Sequence, residues 1–326
     1  MKKITGSELF RYIHNCLKPA LDENGNVRFY RFTPRQFQVY NKNSISAIRA
    51  VLPTGVKLEF YTDSERLEIA WDLVQNGPWQ VDSLADLYVD GVLVKAWQFS
   101  GEPEPTVRLT ADLPAGSKRV TFWFNRTFEI ALRELAISEN AVISPVPAGK
   151  CHLALGDSIT FSSAKHPSLG YVSQVAEHFG WEMYNQAIGG YIFDADSLDP
   201  DFPVTPDVIT VAYGTNDDRS DREAYRCRVN EFLKGLTEIW PEVPVFVITP
   251  LWRTDVSGTE QFEWIYPVIE EECARFPQIT VIDGHTLMPQ LPDFYSDGFL
   301  HPNDLGMTFY AKSVVKAIEA SGRVDC

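Results

Sequence analysis

The stretch Leu153-Ala154-Leu155-Gly156-Asp157-Ser158-Ile159-Thr160 decides the reading of this chain. An apolar run stops abruptly at Gly-Asp-Ser, and a helix-compatible stretch follows over residues 171–179. Open α/β sheets place their sites at the carboxyl ends of strands, and this pattern presents a serine there. Two polar signals lie downstream, Gly214-Thr215-Asn216-Asp217 and Asp297-Gly298-Phe299-Leu300-His301-Pro302. Together they supply a nucleophile, an amide, a histidine and a carboxylate, the parts needed to attack an ester.

Outward from that stretch, strand and helix patterns alternate. Strands are expected over residues 153–155, 182–185, 208–212, 245–249 and 280–283. Helices are expected over 171–179, 222–239, 260–276 and 305–320. Val208-Ile209-Thr210-Val211-Ala212 and Val245-Phe246-Val247-Ile248-Thr249 are short, nearly continuous apolar runs, as in parallel strands covered on both faces. The second half therefore reads as a doubly wound α/β/α domain over residues 148–326.

The first half differs. Residues 1–147 read as a short helix over 7–16 followed by strands. The strands are expected at 27–32, 37–40, 47–51, 57–62, 66–73, 86–89, 92–99, 106–109, 119–125 and 131–138. Val120, Phe122 and Phe124 share one face, opposite Thr121, Trp123 and Asn125. Asp90-Gly91 is a two-residue hairpin signal. Short strands at this spacing argue for an antiparallel, jelly-roll-like β-sandwich. Ile143-Ser144-Pro145-Val146-Pro147-Ala148-Gly149-Lys150 is the stiff linker between the halves.

Composition bounds the function. The chain has 326 residues, 44% hydrophobic, enough for two cores. Its formal net charge of −15 and lack of a Lys/Arg cluster argue against a nucleic-acid partner. No run approaches the ~20 apolar residues of a membrane span, and Ile4-Thr5-Gly6-Ser7-Glu8 interrupts any signal-peptide core. Cys16, Cys151, Cys227, Cys273 and Cys326 are scattered and odd in number, which suits free thiols in a cytoplasmic protein. Cys151 reads as a core residue at the strand entrance. His152, His166, His178 and His285 lack metal-ligand spacing, and the acidic loop Asp194, Asp196, Asp199 and Asp201 has no EF-hand pattern, so no metal and no cofactor are expected. Oligomeric state is not readable.

The candidate chemistry falls on five residues. Ser158 is the nucleophile, and His301 accepts its proton and returns it to the leaving alcohol. Asp297 orients the other imidazole nitrogen, with Asp304 the spare carboxylate and helix-start residue. Asn216 can donate its amide to an oxyanion, as can the backbone N–H of Gly190 in Asn185-Gln186-Ala187-Ile188-Gly189-Gly190-Tyr191, with Gly189 its competitor. Ser158 N–H is a third donor, and one such donor can be worth ~3 kcal/mol. The G-x-S-x-G elbow of α/β-hydrolases is absent. Trp252 and Arg253, after the 245–249 strand, are candidates for the pocket wall.

These motifs resemble the SGNH, or GDSL-type, hydrolase superfamily over roughly residues 151–320. Its first block corresponds to Gly156-Asp157-Ser158, its oxyanion glycine to Gly190, its third block to Gly214-Thr215-Asn216-Asp217, and its last to Asp297 with His301-Pro302. In that superfamily the aspartate stands three residues before the histidine. Here the gap is four, which leaves a bulged triad or a Ser-His dyad as alternatives. The plan of the chain also resembles two-domain SGNH esterases with an N-terminal jelly roll, among them carbohydrate esterases. The resemblance implies a flavodoxin-like hydrolase domain acting on small acyl esters, with an acetylated sugar the expected substrate. Acyltransferase, lipase and thioesterase chemistry are the alternatives, as is a glycan-binding protein with an inactive hydrolase domain.

Overall fold

The computed structural model describes residues 1–78, 83–99, 104–217 and 220–324. The chain divides into two compact units. The first comprises Met1–Phe32, Ala47–Ala148 and Lys165–Ser168, the second Thr33–Ser46, Gly149–Ala164 and Leu169–Cys326. The main division falls in the proline-containing linker. Two short segments belong with the unit on the other side of it.

Among the described residues, the first unit is a pair of antiparallel sheets. Its strands are β1 (Lys2–Thr5), β2 (Ile13–His14), β3 (Lys18–Leu21), β4 (Val27–Tyr30), β5 (Lys57–Thr62), β6 (Arg66–Asn76), β7 (Ser83–Val89), β8 (Val92–Phe99), β9 (Thr106–Asp112), β10 (Lys118–Trp123), β11 (Phe128–Ile137) and β12 (Ile143–Pro145). One sheet runs β3-β4-β11-β6-β9 with β1 on β11; the other runs β12-β5-β10-β7-β8 with β2 on β5. The inward stripe Val120, Phe122 and Phe124 meets Trp71, Leu132 and Leu135 in a single core. Asp90 and Gly91 turn β7 into β8 with φ of +48° and +79°, the left-handed pair that a two-residue hairpin requires. Thr121, Trp123 and Asn125 are buried as well. Part of that polar face is covered by the Lys165–Ser168 segment, through Asp86 to His166 at 2.7 Å and to Ser168 Oγ at 2.6 Å.

Three local expectations change. Residues 37–40 and 47–51 are not strands: 37–40 lie in helix α1 (Pro34–Tyr40), 47–50 in helix α2 (Ser44–Ala50), and Val51 in the turn after it. The cause for α1 is a capping box at Thr33-Pro34-Arg35-Gln36. Thr33 Oγ1 accepts the Gln36 N–H at 3.2 Å, Gln36 Oε1 accepts the Thr33 N–H at 3.0 Å, and proline opens the helix. The helix expected over 7–16 is a 3-10 helix, Gly6–Tyr12, and Thr5 precedes it without a side-chain cap.

The second unit is a five-stranded parallel sheet of β13 (Cys151–Gly156), β14 (Glu182–Ala187), β15 (Val208–Ala212), β16 (Val245–Ile248) and β17 (Ile279–Ile282), ordered β14-β13-β15-β16-β17. Its later helices are α3 (Ser158–Phe161), α4 (Tyr171–Phe179), α5 (Arg222–Ile239), α6 (Glu260–Glu263), α7 (Ile265–Cys273) and α8 (Asp304–Ser321). One face of the sheet, with Leu153, Leu155, Ile209, Val211, Val245 and Val247, packs on Val229, Phe232, Leu233 and Leu236 of α5 and on Ile265 and Ile269 of α7. The opposite side carries α4 and α8, whose Tyr171 and Tyr310 rings meet at 4.6 Å. The expected helix 260–276 is divided into α6 and α7. Pro267 has no N–H for the carbonyl of Glu263 and its ring clashes there, so the chain breaks between them. A 2-1-3-4-5 strand order reverses between its first and third strands, here β13 and β15, and their carboxyl ends open on a shared crevice.

Candidate active site

Ser158 stands at that switch point. β13 is buried along its length and ends at Gly156, opposite Ala212 at the end of β15. A Cβ on Gly156 would lie 2.1 Å from Thr160 Oγ1 and 2.9 Å from the Ala212 carbonyl, so only glycine lets the chain turn this tightly. Asp157 then caps α3, its Oδ1 accepting the Ile159 N–H at 3.0 Å. Ser158 is the first residue of that helix and is 5% exposed. Its own N–H lies among the helix-start donors that have no intrahelical partner.

The histidine arrives from the far end of the chain. Tyr295 and Pro302 form an isolated antiparallel bridge, and the Ser296 N–H donates to the His301 carbonyl at 2.7 Å. Between them the loop turns through Gly298 at φ +80°. Asn303, not Asp304, caps α8, its Oδ1 accepting the Gly306 N–H at 3.0 Å. Ser163 Oγ donates to the Pro302 carbonyl at 2.7 Å and ties this loop to the chain just after α3. Ser158 Oγ lies 2.9 Å from His301 Nε2, and His301 Nδ1 lies 2.6 Å from Asp297 Oδ2. The four-residue gap is absorbed in the turn. Asp297 Oδ1 accepts the N–H groups of Phe299, Leu300 and His301 at 3.1, 2.9 and 3.1 Å. Partial burial pushes the Asp297 carboxyl up, but those donors and the imidazole outweigh it and hold it below the usual carboxylate value. An ionised Asp297 fixes the proton on Nδ1 and leaves Nε2 to accept from serine.

The other two motifs meet beside the serine. After β14, the Ile188 N–H donates to the Gly156 carbonyl at 3.1 Å, and Ile188-Gly189-Gly190-Tyr191 closes as a turn with the Tyr191 N–H on the Ile188 carbonyl at 3.0 Å. Gly190, at φ +76°, is exposed on this turn and Gly189 is buried. After β15, Gly214 takes φ +111° with Tyr225 Oη 2.9 Å from where a Cβ would stand. Asn216 Nδ2 donates to the Tyr191 carbonyl at 3.0 Å and lies 3.4 Å from Asp157 Oδ2. One amide thus joins all three motifs.

Two participants escaped the sequence. Asp157 is 2% exposed, and its carboxyl is pushed up to about 7 by burial and by neighbouring Asp217, against the pull of the Ile159 N–H and Arg253. Asp217 is buried and accepts from Arg228 Nη2 at 2.6 Å and Ser220 Oγ at 3.1 Å, which anchors the third motif to α5. Neither could be foreseen, because Gly-Asp and Asn-Asp are ordinary turn sequences.

Arg253, a candidate for the pocket wall, is buried and committed elsewhere. It donates to the Thr215 carbonyl at 2.7 Å and to Asp255 at 3.0 and 2.6 Å. Trp252 is half-buried beside Tyr295, ring centroids 6.2 Å apart. Among the acidic loop residues, Asp194 accepts from the Tyr191 hydroxyl at 2.5 Å and Asp199 from the Thr33 hydroxyl at 2.5 Å. No His/Cys/Asp/Glu cluster able to hold a metal occurs among the described residues. Among the described residues, Cys16, Cys151, Cys227 and Cys273 form no disulfide, and Cys326 lies outside the described residues. Burial pushes the Cys151 thiol up to about 12, so it is no thiolate nucleophile at neutral pH. Among the described residues, no helix is long and apolar enough to cross a membrane.

Residues 154–309 match the GDSL-like Lipase/Acylhydrolase family. No curated protein sequence matches the chain. Among solved structures, a salicylyl-acyltransferase from a tetracycline biosynthetic pathway is similar at 21% identity and TM-score 0.76, covering 98% of this chain and 97% of that one. A family two carbohydrate esterase from Cellvibrio japonicus is similar at 16% identity and TM-score 0.69, with the same two coverages, 98% and 97%. An acetyl xylan esterase from the rumen bacterium Butyrivibrio proteoclasticus is similar at 13% identity and TM-score 0.65, covering 99% of each chain. These likenesses extend over both units and establish a shared fold. Residues 154–309 thus carry the match to the GDSL-like lipase/acylhydrolase family, in a chain that joins a jelly-roll-like β-sandwich to an SGNH-type α/β/α fold.

Proposed function

We propose that this protein is a serine esterase that removes short acyl groups, acetyl first among them, from a carbohydrate-like alcohol. The reading rests on one observation, the hydrogen-bonded chain from Ser158 through His301 to Asp297. In this reading Ser158 Oγ attacks the ester carbonyl while His301 Nε2 takes its proton. The carbonyl oxygen becomes an oxyanion facing the N–H groups of Ser158 and Gly190 and the amide of Asn216. Asn216 keeps one amide hydrogen on the Tyr191 carbonyl. Its contact to Asp157 is long at 3.4 Å, so the second hydrogen is the one available to the oxyanion. The tetrahedral intermediate expels the alcohol with the proton from His301, and water then releases the acid by the same path in reverse. The scheme needs no metal and no cofactor. A cytoplasmic setting belongs to the same proposal, on the scattered thiols.

Support for the acetyl and sugar specificity comes from the likeness to carbohydrate esterases. The likeness to a salicylyl-acyltransferase favours a second reading, transfer of the acyl group to an alcohol acceptor. Both are tested together. Wild type and Ser158→Ala are assayed on 4-nitrophenyl acetate, butyrate and octanoate, on acetylated xylo-oligosaccharide, and with added alcohol acceptors. The first reading expects fast release from the acetyl substrates and none above background in Ser158→Ala. Equal rates in the two proteins would refute it. Acyl groups diverted from water to the added alcohol would establish the second.

A further inference from the structure

We propose that Tyr40 is a positioning residue for the oxyanion donors, acting through Tyr191 on the Gly190 turn and the Asn216 amide. The inference rests on the esterase reading above. Tyr40 lies far from the motifs in sequence, in the Thr33–Ser46 segment that belongs to the second unit. Its side chain is 2% exposed. Its ring meets that of Tyr191 edge to face, centroids 5.1 Å apart at 77°.

Tyr191 has three bonds that matter to the site. Its N–H closes the turn that carries Gly190, its carbonyl accepts the Asn216 amide at 3.0 Å, and its hydroxyl donates to Asp194 at 2.5 Å. Burial, followed by the Asp194 bond, pushes the phenol well above its ordinary value, so it stays a donor at any working pH. The ring is therefore held at its tip by Asp194 and packed against the ring of Tyr40. The helix that carries Tyr40 is fixed to the strand before the turn and to the loop after it. Gln36 Nε2 donates to Gln186 Oε1 at 2.7 Å and to the Ser197 carbonyl at 3.0 Å, while Thr33 Oγ1 donates to Asp199 at 2.5 Å. Helix α1 thus spans the Gly190 loop from both ends. A displaced Tyr191 carbonyl would turn the Asn216 amide away from the oxyanion position. That loss is felt where negative charge develops and not in the bound ester, so it lowers kcat and leaves KM.

The test is a double-mutant cycle on 4-nitrophenyl acetate, with Tyr40→Leu, Asn216→Ala and their combination. Tyr40→Leu should lower kcat about tenfold with KM within about twofold, a fraction of the ~100-fold or more carried by a whole oxyanion donor. Tyr40→Phe, which keeps the ring, should restore wild-type kcat. In the Asn216→Ala background the Tyr40→Leu loss should shrink, because one of its two paths to the reaction has been removed. An undiminished loss in that background, a wild-type kcat in Tyr40→Leu, or an effect on KM alone would overturn the proposal. Should Tyr40→Leu fail to fold, Tyr191→Phe tests the same link by releasing the ring from Asp194; it too should lower kcat and spare KM, and an unchanged kcat would overturn the proposal. Ser158→Ala is measured alongside. If it keeps wild-type rates, the esterase reading fails and takes this one with it. If it is inactive, an additive Tyr40 effect sinks the positioning role alone.

Discussion

One carboxylate oxygen of Asp297 accepts three backbone N–H groups, and the other faces the His301 imidazole. A side chain so held cannot rotate away, and it keeps the imidazole in the tautomer that accepts the serine proton. Asp297→Asn keeps an oxygen for the backbone donors but loses the charge that steadies the imidazolium. Stopped-assay kinetics should show kcat falling ~10³–10⁴-fold with an unchanged unfolding midpoint. Asp304→Asn, one residue after the true cap Asn303, should lie within about 0.5 kcal/mol of wild type and keep its activity. A large loss at Asp304 with none at Asp297 would reverse the assignment. The side chains that meet here, Ser158, His301 and Asp297, could be singled out in the sequence because the proposed ester chemistry needs few side-chain types. What the sequence concealed was the reach of Asp297, since that depends on a turn closed by the Tyr295–Pro302 bridge. The raised carboxyl of Asp157 was hidden for a similar reason: it depends on burial and on Asp217, which come together only in the fold. Because its folded value of about 7 exceeds the ordinary 3.8, the stability it contributes is present below 3.8 and lost as the pH rises to about 7. Asp157→Asn removes that loss, so thermal melts should show its stability relative to wild type rising as the pH goes from 3.8 to about 7. A flat difference would contradict the shift.

At the scale of elements, the five parallel strands and helices α4, α5 and α8 were legible because both periods, apolar runs and helical spacing, are strong there. Helix α1 was not, because its alternation Phe37-Gln38-Val39-Tyr40 imitates a strand. The signal that would have found it is the Thr33–Gln36 capping box with its proline. Thr33→Ala should therefore destabilise the protein by about 1–2 kcal/mol in urea unfolding, through the lost cap and the lost bond to Asp199. A change under a few tenths would argue that α1 is marginal. β13 carries a second test. His152 is wholly buried with Nε2 2.9 Å from Thr210 Oγ1 on β15, and burial pushes it down to about 3. Its folded value lies below the ordinary 6.5, so its contribution is present above 6.5 and lost as the pH falls toward 3. The slope is ~1.4 kcal/mol per pH unit. His152→Gln should flatten the acid side of the stability curve; an unaltered slope would exclude His152 as its source.

For the whole molecule, the division at the linker was visible as a change of period and a pair of prolines. The reassignment of Thr33–Ser46 to the second unit was not, because its partners Gln186, Ser197 and Asp199 stand more than a hundred residues away. A fragment of residues 149–326 alone would retain every motif and lack helix α1. Its Gln186 and Asp199 side chains would lose their partners, so the fragment should unfold at lower denaturant than the whole chain and hydrolyse 4-nitrophenyl acetate poorly. Full activity from the fragment would show that α1 is dispensable. Covalent trapping tests whether Ser158 is the nucleophile. The full-length protein is treated with a fluorophosphonate, digested, and the adduct located by mass spectrometry. The expected result is one phosphonyl group on Ser158, parallel loss of ester hydrolysis, and neither adduct nor activity in Ser158→Ala. An adduct on another residue, or hydrolysis that persists in Ser158→Ala, would contradict it.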